Sequence, residues 1–263
     1  MERNLTTGAK RPVRVKNELK FRTITVKRCQ GVFGCYRRIV FTGEALSGFI
    51  SPGFDDHIKV FFPSAPGAKI ALPRVSEEGI DWGTGPRPVA RDYTPLRYDA
   101  ATNELTLDFY LHAKGVASDW AAGAKPGDTL VIGGPRGSLL IPMDYARQLY
   151  ICDETGLPAL ARRCGELITH GAAQKAVMLV SVRDARCREY LKDYQEVSIE
   201  WIVADEQGDA LLSRIKDLSF TGGDAFVWVT GEGRRVKNIA DFFTEECGLE
   251  PDFVRAVAYW HDK

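Results

Sequence analysis

The rhythm of apolar residues changes once along this chain, and that change limits what the chain can fold into. From about residue 20 to 141 the apolar runs are short, β-rich and broken by Gly and Pro: FRTITVKRCQ, RRIVFTGEAL, HIKVFFP, VARDYTPLRYD, ELTLDFYLHA and DTLVIGG. The pair flanking DAATN reads as a hairpin. Many short strands with turn signals between them predict an antiparallel barrel or sandwich, with SDWAAGA as the one short helix. From about residue 147 strands and helices alternate instead. LYICDE, KAVMLVSV, SIEWIVA, AFVWVTGEG and VRAVAYW read as strands; LPALARRCGELI, ALLSRIKDL and RRVKNIADFFTEECG carry helical spacing, the last stopping at Gly248. Near-continuous apolar strands alternating with helices predict a doubly wound parallel sheet, covered on both faces. The expected layout is a basic tail over 1–19, a β-barrel over 20–142 and an α/β nucleotide-binding domain over 143–263.

Charge and composition exclude several function classes. Thirty-five Lys and Arg balance thirty-five Asp and Glu, so nothing global draws the chain to nucleic acid or to an anionic membrane. The first 28 residues hold nine of those cations against two Glu, which reads as a solvated tail and the outer face of a first strand. No apolar run approaches the ~18 residues of a membrane span, and MERNLTTGAKRPVRVK lacks the apolar core of a secretory signal. The six cysteines (29, 35, 152, 164, 187, 247) contain no CxxC, and the four histidines lie far apart. The expectation is therefore a cytoplasmic chain with reduced, mostly buried thiols and no metal or iron–sulfur cluster of its own.

One strand carries unusual chemistry. RPVARDYTPLRYD places Arg91, Tyr93 and Thr94 within four residues. Arg91 offers a rigid fork of donors for phosphate, Tyr93 a flat aromatic surface, and Thr94 a hydroxyl for the polar edge of a ring. The plain alternative is an edge strand with an outward Arg91–Asp92 ion pair. Downstream, LDFYLHAKGVASDWAAGAKPGDTLVIGGPRGS sets His112 at a strand end and Ser118 as an expected N-cap, with Asp119 in the first turn. A helix start there suits a phosphate. Trp120 offers a stacking surface. GGPRG is not a Walker loop, because no GK[ST] follows.

RDYTPLRYD, DFYLHAKGVASDWA, KPGDTLVIGGPRG, CDETGLPALAR, VTGEG and the ending AYW resemble, in that order, the siderophore-interacting protein family, over about residues 20 to 260. These are FAD-containing ferric-siderophore reductases of the ferredoxin–NADP reductase superfamily. By that resemblance Arg91, Tyr93 and Thr94 would hold the flavin ring and its ribityl–phosphate side, and His112, Ala117, Ser118 and Trp120 the rest of FAD. Catalysis would be flavin-mediated, with no catalytic side chain. A hydride would enter from a pyridine nucleotide, single electrons would leave to Fe(III), and iron would be released as Fe(II). A flavin or quinone reductase of the same build and a non-catalytic siderophore carrier are the alternatives.

The pyridine nucleotide is read from loops at the carboxyl ends of the parallel strands. DETGLPA offers Asp153, Thr155 as a helix cap, and Gly156 for close approach. TGEGRR offers Gly231 and Glu232 ahead of the last long helix, without the GxGxxG fingerprint. Arg183 and Arg186 in RDAR suit a 2′-phosphate, which favours NADPH over NADH; a ferredoxin stands as an alternative donor. The chain departs from the family at Cys152, where Gly is usual, and at Gly233, where Ala is common. Lys59, Arg136, Arg234 and Arg235 are the expected patch for the ferric siderophore, a shallow basic cleft in a monomeric protein.

Overall fold

The structure is a computed structural model that describes residues 10–65, 68, 70–76, 79–83, 87–113, 115–204, 209–218, 220 and 223–262. Its strands in chain order are β1 (Val13–Lys16), β2 (Phe21–Val32), β3 (Tyr36–Thr42), β4 (Ile58–Phe62), β5 (Arg74–Ser76), β6 (Gly79–Asp81), β7 (Val89–Tyr93), β8 (Arg97–Asp99), β9 (Glu104–Tyr110), β10 (Thr129–Gly133), β11 (Gly137–Leu140), β12 (Arg147–Cys152), β13 (Ala176–Val182), β14 (Ser198–Val203), β15 (Ala225–Glu232) and β16 (Val254–Trp260). The helices are α1 (Val116–Gly123), α2 (Leu157–Thr169), α3 (Asp209–Asp217) and α4 (Gly233–Asp241).

The first half is an antiparallel sheet of order β7-β4-β10-β2-β3-β9-β8, coiled into a half-barrel. Its inward residues alternate along each strand, as β pleating requires. Ile24, Val26, Ile39, Phe41, Val60, Leu105, Leu107, Phe109, Leu130 and Ile132 meet there, and α1 contributes Ala117 and Ala121. The second half is a parallel sheet of order β14-β13-β12-β15-β16. Both of its faces are apolar. Leu149, Ile151, Leu179, Val227 and Val229 face α3 and α4. Tyr150, Cys152, Met178, Val180, Phe226 and Trp228 face α2, and that same core takes in Cys35, Tyr36, Phe54 and Ile141 from the barrel side. The doubly wound expectation therefore holds, and the two halves share one continuous core.

Polar groups lock that seam. Arg163 of α2 is 1 % exposed. Its guanidinium donates to Tyr150 Oη (2.6 Å), to the carbonyls of Ile141 (3.2 Å) and Pro142 (2.9 Å), and pairs with Glu166 (3.1 Å), while resting on the Phe54 ring. Its neighbour Arg162 reaches the barrel, donating to Ser51 Oγ and to the carbonyl of Pro95, each at 3.0 Å. Trp228 Nε1 donates to Asp55 Oδ2 across the same seam.

Two expectations are corrected. The basic segment is not a tail throughout: Val13–Lys16 pairs antiparallel with β11, in the register Val13↔Leu140 to Lys16↔Gly137. Asn17 follows, buried, with its amide nitrogen 2.9 Å from Ser138 Oγ. Charge masked this strand, because an edge strand needs only one apolar face. Residues 1–9 of the expected tail lie outside the described residues. The thiols are not all reduced either. Cys35, on the turn joining β2 to β3, and Cys187, in the 3-10 turn after β13, are joined by a disulfide. Their separation of 152 residues carries no local signal, because only the packed seam brings them together. Cys29, Cys152, Cys164 and Cys247 are free. Gly248 takes φ +71° where the last helix stops, as expected of a C′ glycine.

Removing the buried guanidinium leaves Glu166, Tyr150 and two linker carbonyls without their donor. Arg163→Met is expected to cost about 3–5 kcal/mol in urea unfolding. A loss below about 1 kcal/mol would show that α2 holds the linker by apolar packing alone.

Candidate functional site

The seam between half-barrel and parallel sheet gathers most of the chemistry. At its barrel side β7 is the edge strand, paired with β4 in the register Ile58↔Tyr93 and Val60↔Arg91. Arg91 and Tyr93 share a face. Arg91 is exposed and, among the described residues, its guanidinium reaches only the neighbouring carbonyl of Ala90, at 2.8 Å. Asp92 is taken by Lys59 instead (2.9 Å), so the outward Arg91–Asp92 pair does not form and Arg91 stays free for an anion. Tyr93 lies over Phe109, ring centroids 4.4 Å apart, and burial raises its phenol pKa. Thr94 is buried at the strand end, where Arg162 holds the next carbonyl.

Opposite Thr94 stands Tyr259 of β16. Its hydroxyl oxygen is buried and lies toward the Thr94 hydroxyl, but meets no partner at hydrogen-bond geometry among the described residues. A buried, unsatisfied phenol costs about 1–3 kcal/mol unless a ligand supplies the partner. A flavin edge, rich in carbonyl and ring-nitrogen acceptors, would supply one.

The segment after β9 is built differently from expectation. Helix α1 begins after Gly115, which acts as N-cap without any side-chain cap. Ser118 is therefore not the N-cap. It sits one turn in, 4 % exposed, where its hydroxyl accepts from His112 N (3.0 Å) and donates to His112 O (2.9 Å). This folds the strand end back onto the helix and leaves the first-turn N–H groups uncapped, fit for a phosphate. His112 is exposed beside that turn and Ala117 is buried under it. A side chain at Gly115 would strike the His112 ring, at 2.7 Å. Trp120 is half-buried, its ring packed among Phe41, Phe62 and Phe109.

On the sheet side a narrow crevice of about 10 Å³ lies at the carboxyl ends of β12, β13 and β15, lined by Cys152, Asp153, Ser181, Thr230, Gly231, Glu232 and Arg235 and floored by the apolar Ile151, Leu211, Val229, Val236 and Ile239. Asp153 caps the short turn before α2. Its carboxylate accepts from Thr155 N (2.9 Å), Thr155 Oγ1 (2.5 Å) and Trp260 Nε1 (2.7 Å), while burial raises its pKa. The cap is thus Asp153, and Thr155 is what it holds. Gly156 serves packing rather than ligand approach, because Cys152 and Thr230 fill the space a side chain would need. Gly231 does border the crevice, with φ +140° and Asp153 Oδ2 2.7 Å from where a Cβ would stand. Glu232 caps α4, accepting from Arg235 N at 2.9 Å, and that donor holds its pKa down. The His261 ring occupies the space over Gly233, which explains why Gly stands there. Burial pushes the Cys152 thiol well up, so it is no nucleophile.

The two cations after β13 separate. The backbone N–H of Arg183 donates to Glu154, and its guanidinium lies 5.5 Å from the Trp260 ring centre. Arg186 is neutralised by Asp184 (2.5 Å) and rests against Gly34 of the barrel turn. Sequence reasoning passed over Glu154, which is 5 % exposed and also accepts from Tyr36 Oη through its carbonyl, at 2.6 Å.

The four expected substrate cations are not brought together. Arg136 lines a cleft of about 360 Å³ with Arg14, Lys16, Asp55, Asp56, His57, Ser138 and Arg255. Lys59 pairs with Asp92 outside it, Arg235 borders the nucleotide crevice, and Arg234 is exposed at the start of α4. Arg255 was missed, although VRAVAYW puts it on the same strand face as Tyr259. Its Nε is 3.0 Å from Asp55. Asp56 accepts from Ser51 Oγ, Gly53 N and Ser138 Oγ, and burial raises its pKa.

The chain matches the siderophore-interacting FAD-binding domain over residues 25–139 and the siderophore-interacting protein domain over 145–263. It belongs to the siderophore-interacting protein family. An NADPH-dependent ferric-chelate reductase of Escherichia coli (strain K12) is 50 % identical over 252 residues, spanning 96 % of this chain and 97 % of that one. The ferric vibriobactin reductase ViuB of Vibrio cholerae is 28 % identical, over 85 % of this chain and 83 % of its own. The crystal structure of a siderophore utilization protein from T. fusca superposes with a TM-score of 0.83 at 30 % identity, covering 95 % and 96 % of the two chains. The chain is accordingly an FAD-containing, NAD(P)H-dependent oxidoreductase.

Two substitutions separate the two nucleotide sites. Arg91→Ala removes a charge-assisted contact and is expected to weaken FAD retention by about 10–100-fold. Unchanged flavin content after extensive dialysis would place the phosphate elsewhere. Gly231→Ala is expected to keep its FAD and to raise KM for NADPH about tenfold, or ~1.4 kcal/mol; an unaltered KM would exclude that crevice.

Proposed function

We propose that this protein is an NAD(P)H-dependent ferric-siderophore reductase in which the seam between barrel and sheet is the route from pyridine nucleotide to iron. The observation that carries the reading is the cationic cleft lined by Arg255 of β16, the strand that also brings Tyr259 to Thr94. Asp55 and Arg255 line the cleft and act electrostatically on Tyr259, whose hydroxyl lies toward Thr94.

Bound FAD supplies the conversion of two-electron hydride chemistry into one-electron transfer to Fe(III). The chain's residues bind and orient. Arg91 and the uncapped start of α1 would hold the FAD phosphates, with His112, Ala117 and Ser118 shaping that turn. Tyr93 would offer its aromatic face to the ring, and Thr94 and Tyr259 their hydroxyls to its polar atoms. Asp153, through Thr155 and Trp260, fixes the walls of the crevice that takes the pyridine nucleotide. Gly231, Glu232 and Arg235 border its approach. Arg186 is spent on Asp184, so recognition of a 2′-phosphate falls to Arg183, and the preference is for NADPH. The ferric siderophore docks at the cleft by charge rather than shape, and leaves once its iron is Fe(II). We propose that the protein works as a monomer. The NADPH donor argues for a cytoplasmic setting, and the balanced net charge against nucleic acid as partner. We also read the division of the chain at residues 142 and 143 as the functional one, with FAD before it and the pyridine nucleotide after.

An anaerobic titration tests the reading. The purified yellow protein is expected to bleach with one equivalent of NADPH, and with NADH only at higher concentration. Adding a ferric siderophore should restore the oxidised spectrum while a ferrous chelator traps Fe(II). Reoxidation by quinones or free flavin but not by ferric chelates would make the protein a general flavin or quinone reductase instead.

A further inference from the structure

We infer that the N-terminal strand β1 forms the outer wall of the ferric-chelate site, and that Arg14 and Lys16 set its preference for anionic chelates. This rests on the reading above that the cleft beside Arg136 and Arg255 takes the chelate.

Four observations support it. First, β1 is anchored. It pairs with β11 along its four residues, Asn17 N donates to the carbonyl of Arg136 (3.0 Å), and buried Asn17 holds Ser138, whose hydroxyl donates to Asp56 at 2.8 Å. The strand therefore stays put when the cleft fills. Second, Arg14 and Lys16 are two residues apart and so share one face. Both line the cleft with Arg136 and Arg255. Third, the cations differ in availability. Arg255 is engaged by Asp55, whereas Arg14, Lys16 and Arg136 form no ion pair or side-chain hydrogen bond among the described residues. Two of the three free cations thus come from β1. Fourth, of the other charged groups facing the cleft, Asp55 is engaged by Arg255 and Trp228, while Asp56 is buried and accepts from Ser51, Gly53 and Ser138 through Oδ2, its Oδ1 having no partner among the described residues. A rim of three unspent cations, outnumbering the one carboxylate below that no cation holds, recognises a polyanion. An iron(III) tris-catecholate, formally −3, matches it; a trihydroxamate with a free ammonium, formally +1, is repelled.

The test uses the FAD-loaded protein and redox-inert gallium(III) complexes of a hexadentate tris-catecholate (−3) and an ammonium-bearing trihydroxamate (+1), with Kd read by calorimetry. The variant Arg14→Glu/Lys16→Glu is expected to bind the −3 complex about 100-fold more weakly at low salt, and the +1 complex as well as or better than the parent. The difference should shrink in ~0.5 M salt, where exposed charges are screened. The neutral pair Arg14→Gln/Lys16→Gln, the milder change for folding, is expected to lose about tenfold for the −3 complex only. Arg136→Glu serves as the reference. If it weakens binding and both β1 variants bind like the parent, the inference about β1 fails and the cleft reading survives. If none of the three alters binding, the cleft is not the chelate site and both fall. Equal losses for the two complexes would make β1 a scaffold, and overturn the charge selectivity.

Discussion

A pair of adjacent arginines on one helix holds this molecule in working shape. Arg163 is enclosed, with its donors spent on the carbonyls of the linker before the parallel sheet, on Tyr150 and on Glu166. Arg162 crosses to the barrel and holds Ser51 and the carbonyl of Pro95, the residue after Thr94. Burying guanidinium groups is costly unless nearly every donor is used. Here the cost secures relative position: the end of the flavin strand and the first helix of the nucleotide sheet are tied through a single turn of helix. Burial lowers the pKa of Arg162, yet a guanidinium stays charged, so the tie persists across physiological pH.

In the proposed reading that rigidity holds flavin and pyridine nucleotide sites in register, and the chemistry is left to the flavin. The groups at the seam are prepared to bind rather than to react. Cys152 is a protonated thiol by burial, and Tyr93 and Tyr259 are phenols kept neutral by the same cause. None is a nucleophile or a base near neutral pH. What remains active is electrostatic: uncapped amides at the start of α1, a free Arg91, a free Arg183 beside Trp260, and the unspent cations of the cleft. These are directional fields, suited to anionic nucleotides and an anionic metal complex.

Much of this was readable along the chain. The order of strands and helices, the DAATN hairpin, the Gly248 stop and the strand position of Arg91–Tyr93 all follow from local periodicity and turn chemistry. The errors share one origin. Ser118 and Thr155 were taken as caps because their residue type favours that role, but Gly115 and Asp153 lie at the true starts. For Trp120 nothing local says how much of its ring meets the barrel core, where it packs against Phe62. The basic segment hid a strand because its partner, β11, is over a hundred residues away.

The sequence by itself determined the two architectures, the nucleotide loops at strand ends and the family to which the chain belongs, because each is written in short-range patterns of polarity, glycine and turn residues. Only the tertiary structure decided which charges remain unspent. Arg186 is cancelled by Asp184, Lys59 by Asp92 and Arg255 by Asp55, while Arg14, Lys16 and Arg136 converge on one cleft with no ion pair among the described residues. Charge pairing depends on distances of a few ångströms between distant segments, and Coulomb energy falls with distance and solvent exposure in ways that spacing along a chain does not encode.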